Sequence, residues 1–452
     1  MGKRLILVLA LALLVGMTFS AAYAEVQNVK VSGDINILAV LRNNFDLGNP
    51  PSTVVGFDGG GSASGPVNST KENDKGRFFA TQTRVRIDAD LTDNVMATVR
   101  LINERNWTSE TNSNTNIDLD LAYVTLKEFL YSPLTLTLGR QELKFGNQLI
   151  IGSNNTYTFG AVNGVPADLS ERTSFDALRA TLNYDPLVVD LVYAKASNND
   201  VNSSDDVDLF GVNASYNITK MLNVQGYIWD RKDKSAPSVS DNKKDDIYTV
   251  GTLVTLAPIE GLKASLEGAY QFGQTRNNTG TLSEKRNAWA LQALADYTFT
   301  KCKLAPSIGA GFTYLSGRDK NNGWNQMYYN EALNPIAYAI LPFTDLQVIN
   351  LRTSIKPMED VTVSAKYGNY RFAKTIDNFT SAKFDSNGNR YVILCSGKKD
   401  AGNELDLGVT YDYTEDVQIG LNAGWFMAGG AINDNGGTRD ATQLIGSMRV
   451  TF

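Results

Sequence analysis

The stretch QTRVRIDADLTDNVMATVRLINERNW, residues 82–107, shows a pattern that recurs along most of the chain. From Gln82 to Leu91 the even positions are polar or charged, and the odd positions are mostly apolar. Three turn-forming residues at 92–94 follow, and the alternation resumes at Val95. Side chains on a β-strand alternate between its two faces. The stretch therefore predicts two antiparallel strands, each with one apolar and one charged face.

The connections between such segments alternate between short turns and longer polar stretches. This alternation is typical of bacterial outer-membrane barrels, in which short turns face the periplasm and long loops face the exterior. A β-sandwich with Greek-key crossovers would not alternate so regularly. We therefore predict an all-β fold, a closed antiparallel transmembrane β-barrel of about 18 strands. The longest predicted extracellular loops cover residues 43–76, 143–173, 317–344 and 373–402.

The N-terminal segment has the features of a secretory signal peptide. Basic residues precede an apolar run from Leu5 to Val15, and Ala22-Tyr23-Ala24 forms an A-x-A cleavage site. The apolar run is too short to span a bilayer as a helix, which requires roughly 20 residues. We expect a signal peptide at residues 1–24 and a single barrel domain at residues 25–452. The mature protein is then expected in the bacterial outer membrane, after export to the periplasm.

The composition excludes several kinds of site. The sequence has no histidine, which removes serine–histidine and cysteine–histidine catalysis, haem ligation by histidine and the common zinc sites. A formal net charge of −6 argues against a nucleic-acid partner. The two cysteines, Cys302 and Cys395, are predicted at opposite rims, separated by a ~25 Å apolar band and thus beyond disulfide reach. We predict no catalytic residue, no metal site and no cofactor.

Charged residues recur on the polar face of many predicted strands. In a barrel of about 18 strands this face surrounds a lumen wide enough for water. Basic and acidic residues are mixed, and their opposed charges would select small polar or charged solutes. Each residue considered singly is equally compatible with a paired, solvated wall position. The candidate pore-lining residues on these strands are Arg84, Arg86, Arg100, Glu104, Asp118, Asp120, Glu267, Arg352, Lys366 and Glu404.

The segment LTLTLGRQELKFGNQLIIG, residues 134–152, resembles the alginate-export family of bacterial outer-membrane barrels. The resemblance is strongest at Gly139–Leu143 and at the Phe145-Gly146 pair that follows. It covers nearly the whole mature chain and implies a monomeric 18-stranded barrel whose long loops narrow the pore. Further similar segments are Thr173–Arg179, Glu404–Leu407 and Trp425–Gly430.

The resemblance also implies two basic pore-lining residues, Arg140 and Arg179, at positions where the family places basic side chains. Leu134, Leu136 and Leu138 occupy alternate positions and are expected to face lipid. Arg140 is the next residue in this series, so simple alternation would direct it toward lipid as well. That placement costs up to ~2–4 kcal/mol in a membrane barrel. A β-bulge near Gly139 would turn Arg140 inward. We therefore include both arginines among the candidate pore-lining residues.

These observations predict an outer-membrane porin that passes small polar or charged solutes through a charged, loop-constricted lumen. The family resemblance leaves open a dedicated export channel for an alginate-like polyuronate. A structural or interaction barrel, or an outer-membrane enzyme built on a serine–lysine dyad or paired carboxylates, is the remaining alternative. Expected partners are outer-membrane lipid and a small polar or anionic solute or acidic polysaccharide. The outer-membrane insertion machinery is a further expected partner, because the apolar last strand ends in Phe452.

Overall fold

Eighteen long strands close on themselves into an antiparallel barrel. Each strand pairs with the next one along the chain. The first strand, β1 (Asn28–Asn43), also pairs with the last, β21 (Ala441–Thr451), which closes the ring. The predicted fold class is therefore confirmed. The short turns and long connections alternate around the barrel as the sequence predicts.

The computed structural model describes twelve segments of the chain, and the predicted signal peptide lies outside them. These segments are residues 27–48, 54–56, 75–107, 116–154, 164–197, 206–234, 245–276, 283–317, 323–330, 334–380, 389–432 and 440–452. After β1, the barrel continues with β3 (Lys75–Thr92), β4 (Val95–Asn106), β5 (Asp118–Leu126), β6 (Leu134–Gln141), β7 (Phe175–Asn183), β8 (Leu187–Ser197), β9 (Val207–Thr219) and β10 (Leu222–Asp233). It is completed before β21 by β11 (Asp245–Leu256), β12 (Leu262–Arg276), β13 (Ser283–Thr298), β14 (Ser307–Leu315), β15 (Leu346–Met358), β16 (Val361–Phe372), β19 (Asp400–Asp412) and β20 (Val417–Ala428).

Two of the predicted extracellular loops contain short strands that the sequence pattern does not reveal. They are β2 (Val54–Gly56), β17 (Asn378–Thr380) and β18 (Asn389–Leu394), which form a separate three-stranded sheet. Strand β18 lies in the middle and pairs antiparallel with both others. Strands this short carry too few residues to show a period of two. The small sheet joins the loop after β1 to the loop after β16.

The alternation along the sequence predicts a strand at residues 302–316, but this strand begins only at Ser307. The other seventeen strands of the barrel begin and end within three residues of the positions that the alternation predicts. Before Ser307, the Cys302 N–H donates to the carbonyl of Phe299 and the Ala305 N–H donates to the carbonyl of Cys302, which closes two successive turns. Ala305 has a positive φ of 38°, a conformation that interrupts a strand.

The barrel wall has an apolar outer face and a polar inner face. Val31, Ile228 and Leu351 point outward and are each more than half exposed, as suits a surface that faces hydrocarbon. The inward polar residues Gln82 and Glu267 are buried. Within the part of the chain that the structure describes, no helix is both long and apolar enough to cross a membrane.

Aromatic side chains lie near both ends of the strands. In the periplasmic turns, the hydroxyls of Tyr131 and Tyr184 are 2.9 Å apart. Near the extracellular ends of β3 and β4, the rings of Phe79 and Trp107 stack at a centroid distance of 5.0 Å. Aromatic rings with a polar edge favour the boundary between lipid and water. These residues therefore delimit the apolar band of the barrel.

The two cysteines are free thiols, and we expect them to react differently with a maleimide. Cys302 is exposed in the turn before β14, whereas Cys395 follows β18 on the opposite side of the barrel. Burial, assisted by the nearby carboxylate of Asp377, raises the pKa of the Cys395 thiol to about 12, so little thiolate forms near neutral pH. In detergent-purified protein, peptide mass spectrometry should find Cys302 labelled and Cys395 labelled only after unfolding. Equal labelling, or a Cys302–Cys395 disulfide, would contradict this topology.

Candidate functional site

Two extracellular connections fold back into the lumen and meet there. Between β6 and β7 the described residues 142–154 and 164–174 form the first inward loop. Between β14 and β15 the described residues 316–317, 323–330 and 334–345 form the second inward loop. The Tyr328 N–H donates to the carbonyl of Ile150 at 2.9 Å, and the Gly152 N–H donates to the carbonyl of Tyr328 at 2.7 Å. The two loops thus join across the inside of the barrel, which agrees with the expected narrowing of the pore by loops.

Glu104 on β4 is the centre of the contacts that hold the first inward loop against the wall. Its side chain is 0% exposed. The Glu104 carboxylate accepts hydrogen bonds from Gln82 Nε2 and Ser170 Oγ, each at 2.8 Å. It also accepts the Glu171 N–H at 2.8 Å and pairs with Arg172 Nε at 3.1 Å. Three of these four donors belong to the loop, so the buried charge of Glu104 is compensated mainly by the loop itself.

Three arginines on the strands of the barrel wall bind acidic residues of the first inward loop. Arg84 on β3 lies 2.7 Å from Glu171, and Arg449 on β21 pairs with the other oxygen of the same carboxylate. Arg42 on β1 pairs with Asp168, which belongs to a 3₁₀ turn at Ala167–Leu169. These side chains are mostly shielded from water, so their attraction is stronger than that of a surface ion pair. The loop is therefore fixed to β1, β3 and β21 by charge.

The next part of the wall continues this pattern at β4 and β5. Arg100 pairs with Asp120 on the neighbouring strand and with Glu142 at the start of the first inward loop. Asp118 pairs with Arg172, the loop residue that also binds Glu104. The candidates Arg84, Arg100, Glu104, Asp118 and Asp120 are thus brought together around one loop.

The protonation of Glu142 is predicted to have no effect on conductance between pH ~7 and ~3. Burial alone would raise the pKa of this carboxyl, but Arg100 at 2.9 Å and Lys144 at 3.1 Å outweigh it and lower the pKa from 4.5 to about 2. A lowered folded-state pKa stabilises the structure above the unfolded pKa, and this contribution is lost as the pH falls toward the folded pKa. Single-channel pH titrations of the wild type and Glu142→Gln should therefore run parallel down to pH ~3. Divergence near pH ~4.5 would contradict the assignment.

The second inward loop carries a short helix, α1 (Pro335–Ile340), whose first turn is bound by an acid on the wall. Glu404 on β19 is 0% exposed, and its two oxygens accept the N–H groups of Ile336 at 2.8 Å and Ala337 at 2.6 Å. These N–H groups have no partner within the helix, because they belong to its first turn. Asn334, the residue before the helix, donates to Asp406 at 2.6 Å. The candidate Glu404 therefore fixes the second inward loop to the wall.

The first inward loop also reaches the opposite wall of the barrel. The rings of Phe145 and Trp229 lie 5.0 Å apart, and Asn147 donates to Gln292 at 3.0 Å. The guanidinium of Arg179 on β7 lies 5.2 Å above the Phe145 ring and pairs with Asp190 at 2.8 Å. The loop thus crosses the lumen from β3 and β4 to β10 and β13. The side chain of Arg179 therefore lies on the inner face of the wall, against the first inward loop.

Two other candidates lie on the inner wall and are paired there. Glu267 on β12 accepts the hydroxyl of Tyr227 on β10 at 2.7 Å, across the intervening strand β11. The ring of Tyr227 crosses Gly251, where a Cβ atom would lie 2.4 Å from the tyrosine hydroxyl oxygen. Only glycine leaves this path open. Arg86 pairs with Asp88 two positions along β3, at 2.7 Å.

The last two candidates belong to a row of charged residues that crosses adjacent strands of the inner wall. Arg352 on β15 is paired in register with Lys366 on β16, and Lys366 is paired with Asp406 on β19. On its other side, Arg352 reaches Asp296 on β13 at 2.9 Å. We refer to Asp296, Arg352, Lys366 and Asp406 as the charged row.

The prediction that Arg140 reaches the lumen is wrong. Arg140 is paired in register with Asp176 on β7 and forms an ion pair with it at 3.3 Å. Asp176 shares its face with Leu178, which is 49% exposed on the outside, while the alternate residues Phe175 and Arg179 point inward. Strand β6 passes through Gly139 without a change of register against β5 or β7, so no bulge turns Arg140 inward. Its charge is compensated by Asp176 near the extracellular end of the strand.

The contacts of the inward loops involve residues that the sequence analysis did not select. The sequence nevertheless contains one indication that the first inward loop is buried. Leu149, Ile150 and Ile151 form an apolar run in a connection that is expected to be polar. In the structure all three are buried inside the barrel. Charged residues close to such a run predict a loop that folds inward and pairs with the wall. The missed residues are Glu142, Asp168, Glu171, Arg172, Asn334 and Asp406.

Comparison with solved structures shows similarity to outer-membrane proteins of Pseudomonas aeruginosa. OccK3 (OpdO) matches with a TM-score of 0.58 and 11% sequence identity over 95% of this chain and 97% of its own. OpdL matches with a TM-score of 0.57 and 12% identity over 94% and 99%. OccK2 (OpdF), whose structure was determined in complex with glucuronate, matches with a TM-score of 0.54 and 13% identity over 94% and 97%. At these identities the similarity establishes the fold alone.

Comparison with protein families gives a more specific result. No curated protein matches the chain significantly. The model of the alginate export family, however, matches residues 60–445, which include β3 to β20 and both inward loops. The match covers most of the chain and agrees with the resemblance at residues 134–152. This protein belongs to the alginate export family and is a porin-like barrel of the outer membrane.

Proposed function

We propose that this protein is a passive, non-enzymatic channel for small polar and charged solutes. One observation carries the proposal: two loops cross the lumen and are fixed to a charged wall by buried acid–base contacts. Such contacts hold a constriction at a constant width, whereas solvated loops would fluctuate. A sheath for another protein, or an adhesive barrel, would not need its loops fixed inside the lumen.

The preferred solutes are small organic acids that also carry neutral polar groups. The walls around the first inward loop present acids and bases together, as in Arg100 with Asp120 and Arg84 with Asp34. A mixed wall favours solutes with several polar groups over simple ions. Support comes from OccK2 (OpdF), the structural relative solved with glucuronate. We extend that class of solute, a small sugar acid, to this chain.

Export of a polyuronate is the second candidate, and the family match supports it. A polyanion moving through a narrow lumen would be held best by an excess of positive charge. Here Glu104 and Glu171 contribute negative charge at the constriction, next to Arg172 and Arg84. The small-acid channel therefore agrees better with the wall.

Reversal potentials in planar bilayers distinguish the two candidates. Refolded mature protein is placed under a salt gradient, first in KCl, then with glucuronate and then with a polyuronate. A small-acid channel should conduct weakly selectively in KCl and pass glucuronate, with little block by the polymer. Strong anion selectivity and block by polyuronate would support polymer export instead. Absence of current in every condition would refute both.

We also propose that the chain is made as a precursor whose signal peptide is cleaved after export. The mature protein is then inserted into the outer membrane as a monomer. The A-x-A site supports cleavage before Glu25. The main chain of Phe452 exchanges hydrogen bonds of 2.8 and 3.0 Å with Gly33, so the C-terminal residue seals the seam between β1 and β21. This supports recognition of the last strand by the insertion machinery. Mass spectrometry of the intact protein should give the mass of a chain that begins at Glu25. Light scattering in detergent should give the molar mass of one copy of that chain.

A further inference from the structure

A row of charged residues crosses six neighbouring strands on the outer face of the barrel, from β6 to β11. Acids and bases alternate along it, and each member lies opposite the next in register. On these strands the row shares its face with Leu178, Phe210 and Ile228, which are all exposed. Unlike charges on neighbouring strands attract each other, so this order stabilises the pairing of the strands. We refer to this set as the outer row: Arg140, Asp176, Lys195, Asp208, Lys232 and Asp246.

The outer row lies at the level of the lipid headgroups. Two positions closer to the periplasm, the same face of these strands carries Tyr193, Phe210 and Tyr248. The rings of Tyr193 and Phe210 lie 4.9 Å apart, and Tyr248 stacks on Phe272 of β12 at 5.4 Å. Aromatic rings of this kind favour the boundary between lipid and water. The outer row lies on the extracellular side of this boundary, and thus among the headgroups of the outer leaflet.

An apolar groove of about 590 Å³ runs along the outer face on the periplasmic side of the outer row. Its volume falls within the range of small-molecule sites, roughly 300–1,000 Å³. Ala180 on β7 keeps the groove open, because its small side chain lies in register between Leu136 and Leu191. Tyr193 and Phe210 line the end next to the outer row. The groove therefore offers room for a hydrocarbon chain directly below a set of charged groups.

Two lysines of the outer row present their ammonium groups just beyond the extracellular end of the groove. Lys195 contacts Asp206 and lies 3.9 Å from Asp208. Lys232 lies 3.2 Å from Asp230. Both lysine side chains nevertheless stay 36–37% exposed. Because an ammonium group has three N–H donors, each lysine can bind a further acceptor while it keeps its carboxylate.

The acids of this surface require a cation as well as a phosphate. Besides the outer row, the surface carries Asp206, Asp230 and Lys234, so its described acids outnumber its described bases. Asp206 is 3% exposed, and its Oδ1 has no hydrogen-bond partner among the described residues. The same holds for the Oδ1 atoms of Asp230 and Asp246. Mg²⁺ is commonly bound by one or two carboxylates together with phosphates and water. A divalent cation would therefore link these acids to a phosphate.

We propose that this surface binds one molecule of a diphosphorylated glycolipid of the outer leaflet, together with a divalent cation. An acyl chain lies in the groove, one phosphate binds Lys195 and the other binds Lys232. The cation bridges a phosphate to the neighbouring aspartates. Strands β8 and β10 are separated by roughly 10 Å, twice the strand spacing, which suits phosphates at the two ends of a disaccharide. The site lies outside the barrel, so the proposal goes beyond the channel function and does not depend on it.

Native mass spectrometry of the folded, delipidated barrel in detergent counts the bound lipids and measures their affinity. The probes are diphosphoryl lipid A, monophosphoryl lipid A and phosphatidylglycerol, each with Mg²⁺ and with EDTA. We expect one diphosphoryl lipid A per barrel, bound about tenfold more tightly than phosphatidylglycerol and about tenfold more weakly in EDTA. Equal affinities for the three lipids, or binding unchanged by EDTA, would overturn the proposal. A lipid-free dimer would also overturn it and would assign the outer row to contact between two copies.

A charge variant tests the role of the two lysines. Lys195→Ala combined with Lys232→Ala should weaken the binding of diphosphoryl lipid A at least about tenfold, because it removes both phosphate contacts. The matched control is Arg371→Ala, an exposed base at the extracellular end of β16 on the other side of the barrel. The control should bind as the wild type does. Equal affinities of the two variants would overturn the site.

A second variant tests the groove and leaves every charge in place, so it serves even if the lysine variant fails to fold. Ala180→Trp fills the groove and should weaken the binding of diphosphoryl lipid A about tenfold. Its control is Ala423→Trp on β20, where the neighbouring outward residues Leu421 and Trp425 are exposed. The control should bind as the wild type does. Unchanged binding by Ala180→Trp would show that the groove holds no acyl chain, and would overturn the proposal.

Discussion

Replacing Glu104 with alanine is expected to release the first inward loop and to raise the single-channel conductance. The variant leaves Arg172 without its buried partner, and breaking a buried ion pair costs ~3–5 kcal/mol. A cost of this size lowers the docked population of the loop, relative to the released one, by a factor between ~10² and ~4 × 10³. Planar-bilayer recordings should show larger and noisier currents, and limited proteolysis should cut within residues 142–174.

The matched control for this variant is Glu260→Ala, in an exposed periplasmic turn. It should conduct and resist protease as the wild type does. Glu104→Gln retains one acceptor oxygen and should lie between the wild type and the alanine variant. If Glu104→Ala conducts like the wild type and its loop stays protected, this residue does not hold the constriction.

Glu404→Ala is expected to release helix α1 from the wall. The change leaves the N–H groups of Ile336 and Ala337 without acceptors, at ~1–3 kcal/mol each. We expect frequent transitions to a higher-conductance state, because the helix has no other carboxylate bound to its first turn among the described residues. Single-channel recordings at constant voltage measure the frequency and size of these transitions.

Glu415→Ala, in an exposed turn at the end of the same β-hairpin, serves as the control. It should give the steady current of the wild type. A steady, unchanged current from Glu404→Ala would show that the helix stays in place by packing alone. In that case the interpretation of Glu404 as its anchor would be wrong.

The sequence predicts the barrel wall well, because the alternation of apolar and polar residues along a strand shows which face of the wall each side chain occupies. Residues 82–107 show this: Arg84, Arg100 and Glu104 lie inside, as their even positions require. Arg140 shows the limit of a resemblance. Its position in the alternation favoured the outside, and the structure places it there, paired with Asp176.

The constriction could not be derived in the same way. A loop has no fixed period, so the sequence does not tell which wall its residues contact. Arg172 meets Glu104 across 68 positions of the chain, and no local pattern connects them. The contact depends on the closed barrel, which brings β4 opposite the returning loop. The apolar run from Leu149 to Ile151 indicates only that this loop is buried, not where.

Single-channel conductance with and without the first inward loop tests the central claim most directly. Residues between Leu143 and Thr173 are replaced by a short glycine–serine linker, and both proteins are recorded in the same bilayer and salt. If the loop forms the constriction, the wild type conducts steadily and the shortened protein conducts more. Equal conductance of the two proteins would contradict the account, as would a wild type that passes no current at all.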